Sequence, residues 1–543
     1  VKLPEASRGE FCSGFVKLMM VGYMRKKETT MNSQFIFQNS KQSADITILQ
    51  RVRAPISANM KKRILPIVCT LVMAIVVLQP SQSLSFSTCD DGSQKDLEKS
   101  IELHNEHVYR MNRKIVDIWY HWGHIPEKYR KKIKLENICD FLVKLSPRKT
   151  AVIFHARGAN SLSSWLITYK REIISMKQPL RKSELDVLQP KLWQTLGVRG
   201  SKNPRLAFPI DNKGFSDKEP TINDWDLVLK PISKLLFPED VVNALLDSKI
   251  DTLIVVPITI REFDPLYDLP EKVQENMSKE FRLNNVPMSD GFVLSLGTIP
   301  FAALPIKDKR LVDLVSVVIA PGFFIFAQDP LQARKNFSDP IVVGDPVNKD
   351  FKPLPGARQE AKDVAHFLKV EALYGDRATK ETVESILTDH AKTVDLIHLA
   401  THGVANSKDP LDKSYLVLSD SLWTARQISK FRQSEKAEPV FKNHPLIVMS
   451  ACQTALGKDF SVGTIGLARA WHWVGASNVV MSLWSVDDCA TQKLMTDFIR
   501  LKANKPTDKA LQEAMQLSRE SDDNPANWAS FGIFGKPELL IRD

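Results

Sequence analysis

Three late apolar runs of this chain each end in residues able to do chemistry. Val394–Ala400 leads into Thr401-His402-Gly403, Pro445–Ser450 into Ala451-Cys452-Gln453-Thr454, and Asn478–Leu483 into a segment ending at Asp487-Asp488. A thiol attacks as its thiolate, and a neighbouring imidazole can take its proton and later hand one to a leaving amine. His402 and Cys452 are the candidate pair. The backbone N–H groups of Gly403 and Cys452 are candidate donors to the oxyanion of a tetrahedral intermediate, and a glycine at 403 leaves the backbone open to a substrate. The remaining histidines and Cys489 have plainer readings. His398 lies inside its strand and His472 beside Trp471 and Trp473, both as packing residues; His444 stands at the start of a strand, away from the rim. Cys489, heading a helix, reads as a small buried hydrophobe. His398 and His402 share an i,i+4 spacing, but a zinc-binding pair of that spacing needs a helix and an adjacent glutamate. No metal and no organic cofactor is expected.

What positions these groups is an alternation of apolar strands and amphipathic helices. From about residue 150 the strand candidates are Ala151–Phe154, Thr252–Pro257, Leu311–Ala320, Ile341–Gly344 and the three runs above, with helix candidates Gly463–Val474 and Ala490–Lys502. Continuous Val/Ile/Leu runs with intervening helices indicate an α/β fold, a mainly parallel sheet covered on both faces. In such sheets functional groups gather beyond the carboxyl ends of the strands, which is where the histidine, the cysteine and the two aspartates fall. Roughly 390 residues is long for one such unit, so two consecutive halves are expected, 150–340 and 341–538, meeting in the turn-rich stretch Pro321–Pro355. The charged stretch Arg261–Gly291 reads as a surface excursion. Residues 90–149 read as a small helical segment, in which His104, His107, His121 and His124 lack the spacing of a metal site.

The chain has 543 residues, 43% hydrophobic and 25% charged, which excludes a mostly disordered chain, a collagen-like fibre and a multi-span membrane protein. Six cysteines are too few for a disulfide-dense scaffold. Residues 1–63 hold 12 Lys/Arg against 4 acids, so +8 of the net +11 lies there. A phosphate-binding footprint would sit on a folded domain; nucleic acid is therefore not an expected partner. Met60-Lys61-Lys62-Arg63, the uncharged Ile64–Leu78 and the small or polar Ser81–Ser85 have the order of a secretory signal peptide over 60–85, with an uncleaved signal anchor, and hence a membrane tether, as the alternative. Translation is expected to begin at Met60, making 1–59 a non-native extension, and the protein is expected to be exported to a periplasm or secreted. Cys89 and Cys139 could then meet in an oxidising compartment.

The segments LIHLATHG, HPLIVMSACQTALG and NVVMSLWSVDDCATQKLMTDF, preceded by FKPLPGARQEAKDVAHFL, resemble the CHAT domain family, caspase-like cysteine peptidases related to separase. The resemblance runs over about 150–538 and is strongest from 341 onward. It implies a dyad of His402 and Cys452, an inactive first half and a catalytic second half, and an acidic pocket for a basic residue before the cut, to which Asp487 and Asp488 correspond. The simpler role for those two is a helix N-cap and a first-turn acid before Ala490. Leu354-Pro355-Gly356-Ala357 and Glu360 match the family as a turn and helix start. Family members often carry tetratricopeptide repeats; none is visible in this sequence. The expected function is a cysteine endopeptidase acting on a protein or peptide, with an unidentified regulatory partner. The rival readings are an exported, non-catalytic scaffold or sensor that uses the fold for protein binding, and an acyl-transferring or ester-cleaving enzyme on the same dyad.

Overall fold

The strongest apolar runs form the middle of one sheet. In the computed structural model the described residues are 83–115, 132–157, 161–180, 192, 221–256, 259–261, 293–406, 409–430, 440–452, 454, 458–460, 463–484 and 487–541, all within a compact unit from Gln82 to Asp543. The expectations for 1–59, for the leader up to residue 82 and for most of the 261–291 excursion lie outside the described residues. No helix among those described is long and apolar enough to cross a membrane.

Among the described residues the main sheet has twelve strands: β1 Ser83–Thr88, β2 Thr150–Arg157, β3 Ser161–Thr168, β4 Glu172–Pro179, β5 Thr252–Val255, β6 Ser316–Ile319, β7 Pro340–Gly344, β8 Ala372–Tyr374, β9 Leu396–Ala400, β10 Leu446–Ser450, β11 Asn478–Ser482 and β12 Phe531–Phe534. Their spatial order is β1-β4-β3-β2-β5-β6-β12-β11-β10-β9-β7-β8. The pairings from β2 through β5 and β6 to β12, and from β11 through β10, β9 and β7 to β8, are parallel. Within this sheet, among the described residues, antiparallel pairing is confined to β1–β4–β3–β2 and the β12–β11 seam. The fold is thus mixed α/β with a large, mostly parallel sheet flanked by helices. Residues 150–340 and 341–538 both contribute to this one sheet, and β12, late in the chain, inserts between β6 and β11. Strands β5, β7, β9, β10 and β11 are buried along their full length, as expected of Val/Ile/Leu runs covered on both faces.

Before β2 lie helices α1 (Lys95–Ile115) and α2 (Leu135–Lys144). Cys89 and Cys139 form a disulfide across a sequence separation of 50, which ties the start of this segment to α2. The later helices used below are α3 (Pro355–Leu368), α4 (Leu467–Trp473), α5 (Asp488–Lys502) and α6 (Thr507–Ser521). Helix α3 packs on β7 and β9, α5 lies between α3 and α6, and α6 reaches β6, so these three make one layer along the sheet. Two elements differ from the sequence reading. Leu311–Ala320 is divided into a 3-10 turn, Leu311–Asp313, and the shorter strand β6. Gly463–Val474 is divided into a hairpin strand, Gly463–Ile465, and α4; Gly466 separates them, and a glycine disfavours helix.

Candidate active site

Strand β9 pairs with β10 in parallel, with Ala400 opposite Ser450. The backbone N–H of Thr401 continues the ladder by donating to the Ser450 carbonyl, at 3.2 Å. His402 and Cys452 each stand two residues beyond the Ala400–Ser450 pair, at the carboxyl rim of neighbouring strands. Gly403 brings their loops into contact: a Cβ built there would lie 2.7 Å from the Cys452 carbonyl oxygen and 3.2 Å from the Ala451 Cβ. Only a residue without a side chain permits that approach. Cys452 is partly exposed.

Each loop is fixed by hydrogen bonds. After His402 the chain turns into a small antiparallel sheet of Gly403–Val404, Tyr415–Val417 and Leu422–Thr424. The His402 carbonyl accepts from Val417 N–H at 2.9 Å, and the buried Thr401 hydroxyl donates to the Val417 carbonyl at 2.7 Å. On the cysteine side, buried Thr454 receives the Ser482 N–H at 2.8 Å, and the Ser482 hydroxyl donates to the Ala451 carbonyl. The end of β11 thereby clamps both sides of Cys452.

The imidazole is oriented by a segment that residue types did not single out. His402 Nε2 lies 2.7 Å from the Lys352 carbonyl oxygen, and its ring packs on Phe351 at a centroid distance of 5.3 Å. A carbonyl can only accept, so Nε2 carries the hydrogen and, in the neutral ring, Nδ1 is left as the basic nitrogen. The loop bearing Phe351 and Lys352 is anchored by Asp345, a buried residue in the left-handed region (φ 41°). Asp345 accepts from Leu354 N–H at 2.7 Å, lies 2.8 Å from Arg358 Nε, and its own N–H donates to the Ala400 carbonyl at 2.8 Å. Asp345 was legible only as part of a turn-rich GDP stretch, and a backbone acceptor such as that of Lys352 has no signature in residue type.

The two aspartates occupy different surroundings. Asp487 is the exposed N-cap of α5, its Oδ1 accepting from Cys489 and Ala490 N–H at 3.0 and 2.9 Å. Its Oδ2 makes no hydrogen bond among the described residues. Asp488 instead reaches across to the start of α3, where its two oxygens accept from Gly356 and Ala357 N–H at 2.6 and 3.0 Å. It satisfies orphan donors of a helix N-terminus. Burial, with the nearby Asp487 and Asp345 charges adding, nonetheless pushes its carboxyl above the ordinary aspartate value. Cys489 lies exposed on the first turn of α5 rather than buried, because the helix turns that position outward. His398 is fully buried and bonded to Glu360, and His472 is buried against Phe324 and Phe534.

The CHAT domain family model matches residues 273–536, a span that contains the β9–β10 rim, α3 and both aspartates. Tetratricopeptide repeat protein 28 of Mus musculus is 28% identical over 228 residues, which is 35% of this chain and 9% of that protein. Its Homo sapiens counterpart is 28% identical over 219 residues, with the same coverage. This chain therefore spans only about a tenth of the length of the curated relatives it matches. Among solved structures, a chain of the Saccharomyces cerevisiae separase–securin complex aligns at TM-score 0.45 and 14% identity, over 83% of this chain and 35% of that one. The Arg-specific cysteine proteinase gingipain R aligns at TM-score 0.33 and 11% identity, over 59% and 69% respectively.

Proposed function

We propose that this chain, whose residues 273–536 carry the CHAT domain match, is a cysteine endopeptidase with Cys452 as nucleophile and His402 as acid and base. The observation that carries the reading is the contact of Gly403 with the Cys452 carbonyl at the β9–β10 rim, together with an imidazole held so that Nδ1 is the basic nitrogen. In this reading Nδ1 takes the thiol proton and the thiolate adds to the scissile carbonyl. The N–H groups of Gly403 and Cys452 receive the oxyanion. The protonated imidazole then gives its proton to the departing amine, leaving a thioester. Water, deprotonated by the same nitrogen, hydrolyses the thioester to a carboxylic acid and the free thiol. The chemistry needs no cofactor.

A basic residue before the scissile bond is part of the proposal, and the geometry favours Asp487 over Asp488 as its partner. Both oxygens of Asp488 are committed to α3, whereas Oδ2 of exposed Asp487 is open to a guanidinium or ammonium group, a charge-assisted contact. Export to an oxidising compartment is proposed as well; the Cys89–Cys139 disulfide supports it.

The test is cleavage of fluorogenic peptides bearing Arg, Lys, Asp or Ala before the scissile bond, by the full chain and by Cys452→Ala. The reading expects cleavage after Arg or Lys that disappears in the variant. Cleavage that survives in Cys452→Ala removes the nucleophile assignment, and a preference for Asp removes the role of Asp487. A binding protein without activity would cleave none of the four.

A further inference from the structure

We propose that Glu360 is a positioning residue: its buried carboxyl group joins the strand that carries His402 to the strand that carries Cys452 and so fixes the offset between the two. The inference rests on the cysteine–histidine reading above. Glu360 lies on α3 and is 1% exposed. Its Oε1 is 2.7 Å from His398 Nε2 on β9, and its Oε2 accepts from the Ser450 hydroxyl on β10 at 3.0 Å. His398 precedes His402 by four residues and Ser450 precedes Cys452 by two, so one side chain grips both strands just below their chemistry. His398 is fully buried and Ser450 5% exposed.

An apolar residue would fill this place on α3 at lower cost, since an ionisable group loses its hydration on burial. What the carboxyl group supplies is geometry, two directional bonds from one rigid point to two strands. The helix that carries it is itself held in place. A Cβ on Gly344 of β7 would fall 2.3 Å from the Ala361 Cβ, so α3 lies hard against the sheet one residue beyond Glu360. At its start, Asp488 binds the Gly356 and Ala357 N–H groups. The chain of contacts from α5 through α3 to the two rim loops is continuous.

The experiment measures the rate at which iodoacetamide alkylates Cys452 as a function of pH, the site being read by peptide mass spectrometry and folding by circular dichroism. The full chain is compared with His402→Ala, Glu360→Ala, Glu360→Gln and Ser450→Ala. A cysteine–histidine dyad places the wild-type midpoint below the ordinary thiol value of about 8.5, and His402→Ala returns it there. If Glu360 positions the dyad, Glu360→Ala and Ser450→Ala each raise the midpoint by at least about half a pH unit, with a fall of about threefold in rate at pH 7. Glu360→Gln, which keeps both arms at the same length, restores most of the wild-type behaviour; a residue needed only for stability would not give that split. Folded Glu360→Ala and Ser450→Ala with wild-type profiles overturn the inference while His402→Ala still moves the midpoint. Where Glu360→Ala fails to fold, Ser450→Ala decides alone. A His402→Ala profile identical to wild type refutes the dyad itself, and the role of Glu360 falls with it.

Discussion

Replacing Gly403 by alanine tests the rim geometry with a single methyl group. The added Cβ would sit 2.7 Å from the Cys452 carbonyl oxygen and 3.1 Å from the Thr454 Cγ2. Ordinary van der Waals contact begins near 3.4 Å, so the two loops must separate by about 0.7 Å. Gly403 is not among the positive-φ residues, so the penalty is steric rather than a backbone one. Overpacking of this size costs about 1–3 kcal/mol, and in so large a unit that lowers the melting temperature by only a few degrees at most. The effect on reaction is larger, because a misplacement of about 1 Å between reacting groups can cost about 100-fold. The expected outcome is therefore a 10- to 100-fold loss of kcat/KM on an Arg-bearing fluorogenic peptide, with the melting curve nearly unchanged. Wild-type turnover by a folded Gly403→Ala protein would show that the contact does not set the distance between His402 and Cys452.

Other expectations follow from the same structure. Asp487→Asn should lower the preference for Arg over Leu before the cut by about tenfold, since it would remove the charge of the proposed contact, whereas Asp488→Asn should leave one of the Gly356 and Ala357 N–H groups without its acceptor, at about 1 kcal/mol, read as a lower melting temperature with substrate preference kept. Glu360 is driven above the ordinary glutamate value by burial; its contribution is fully present below the unfolded value and lost as pH rises through the folded one. Glu360→Gln should therefore melt higher than wild type at pH 8, the gain narrowing as pH falls toward about 4.5. His155, fully buried with Nδ1 2.8 Å from the Ser164 hydroxyl, is held by burial down to about 3. It stays neutral when folded and charges when unfolded, so stability should drain by about 1.4 kcal/mol per pH unit as pH falls below about 6.5, and denaturant titrations of His155→Asn should show a flatter acid limb. Opening the Cys89–Cys139 bridge by Cys→Ser at both positions should cost about 4 kcal/mol on loop entropy, seen as a shift of the denaturation midpoint with Cys452 labelling intact.

The parts of the fold that could be read in the sequence are those where one physical demand dominates. Strands β7, β9, β10 and β11 are buried throughout, and their unbroken apolar runs announce them to within a residue or two. The rim positions of His402 and Cys452 follow, because a parallel sheet places the ends of neighbouring strands together. Where several demands compete, the sequence is quieter. Strand β4 alternates only loosely, and its antiparallel pairing with β1 and β3 leaves no local mark. Asp488 looks like a first-turn acid of α5 because the donors it satisfies, at Gly356 and Ala357, lie 132 and 131 residues away. Glu360 was legible as a helix-start residue, yet its bonds to His398 and Ser450 depend on the packing of α3 over two strands. The orientation of His402 rests on the Lys352 carbonyl, a group every residue carries.

The pairing of Cys452 with His402 is tested most directly by covalent capture. A peptidyl acyloxymethyl ketone carrying Arg is incubated with the full chain and with His402→Ala, and the modified residue is located by peptide mass spectrometry. The expected result is a thioether at Cys452 in the native chain, and little or none in the variant at equal time. Label found elsewhere, or undiminished at Cys452 without the imidazole, would contradict the dyad.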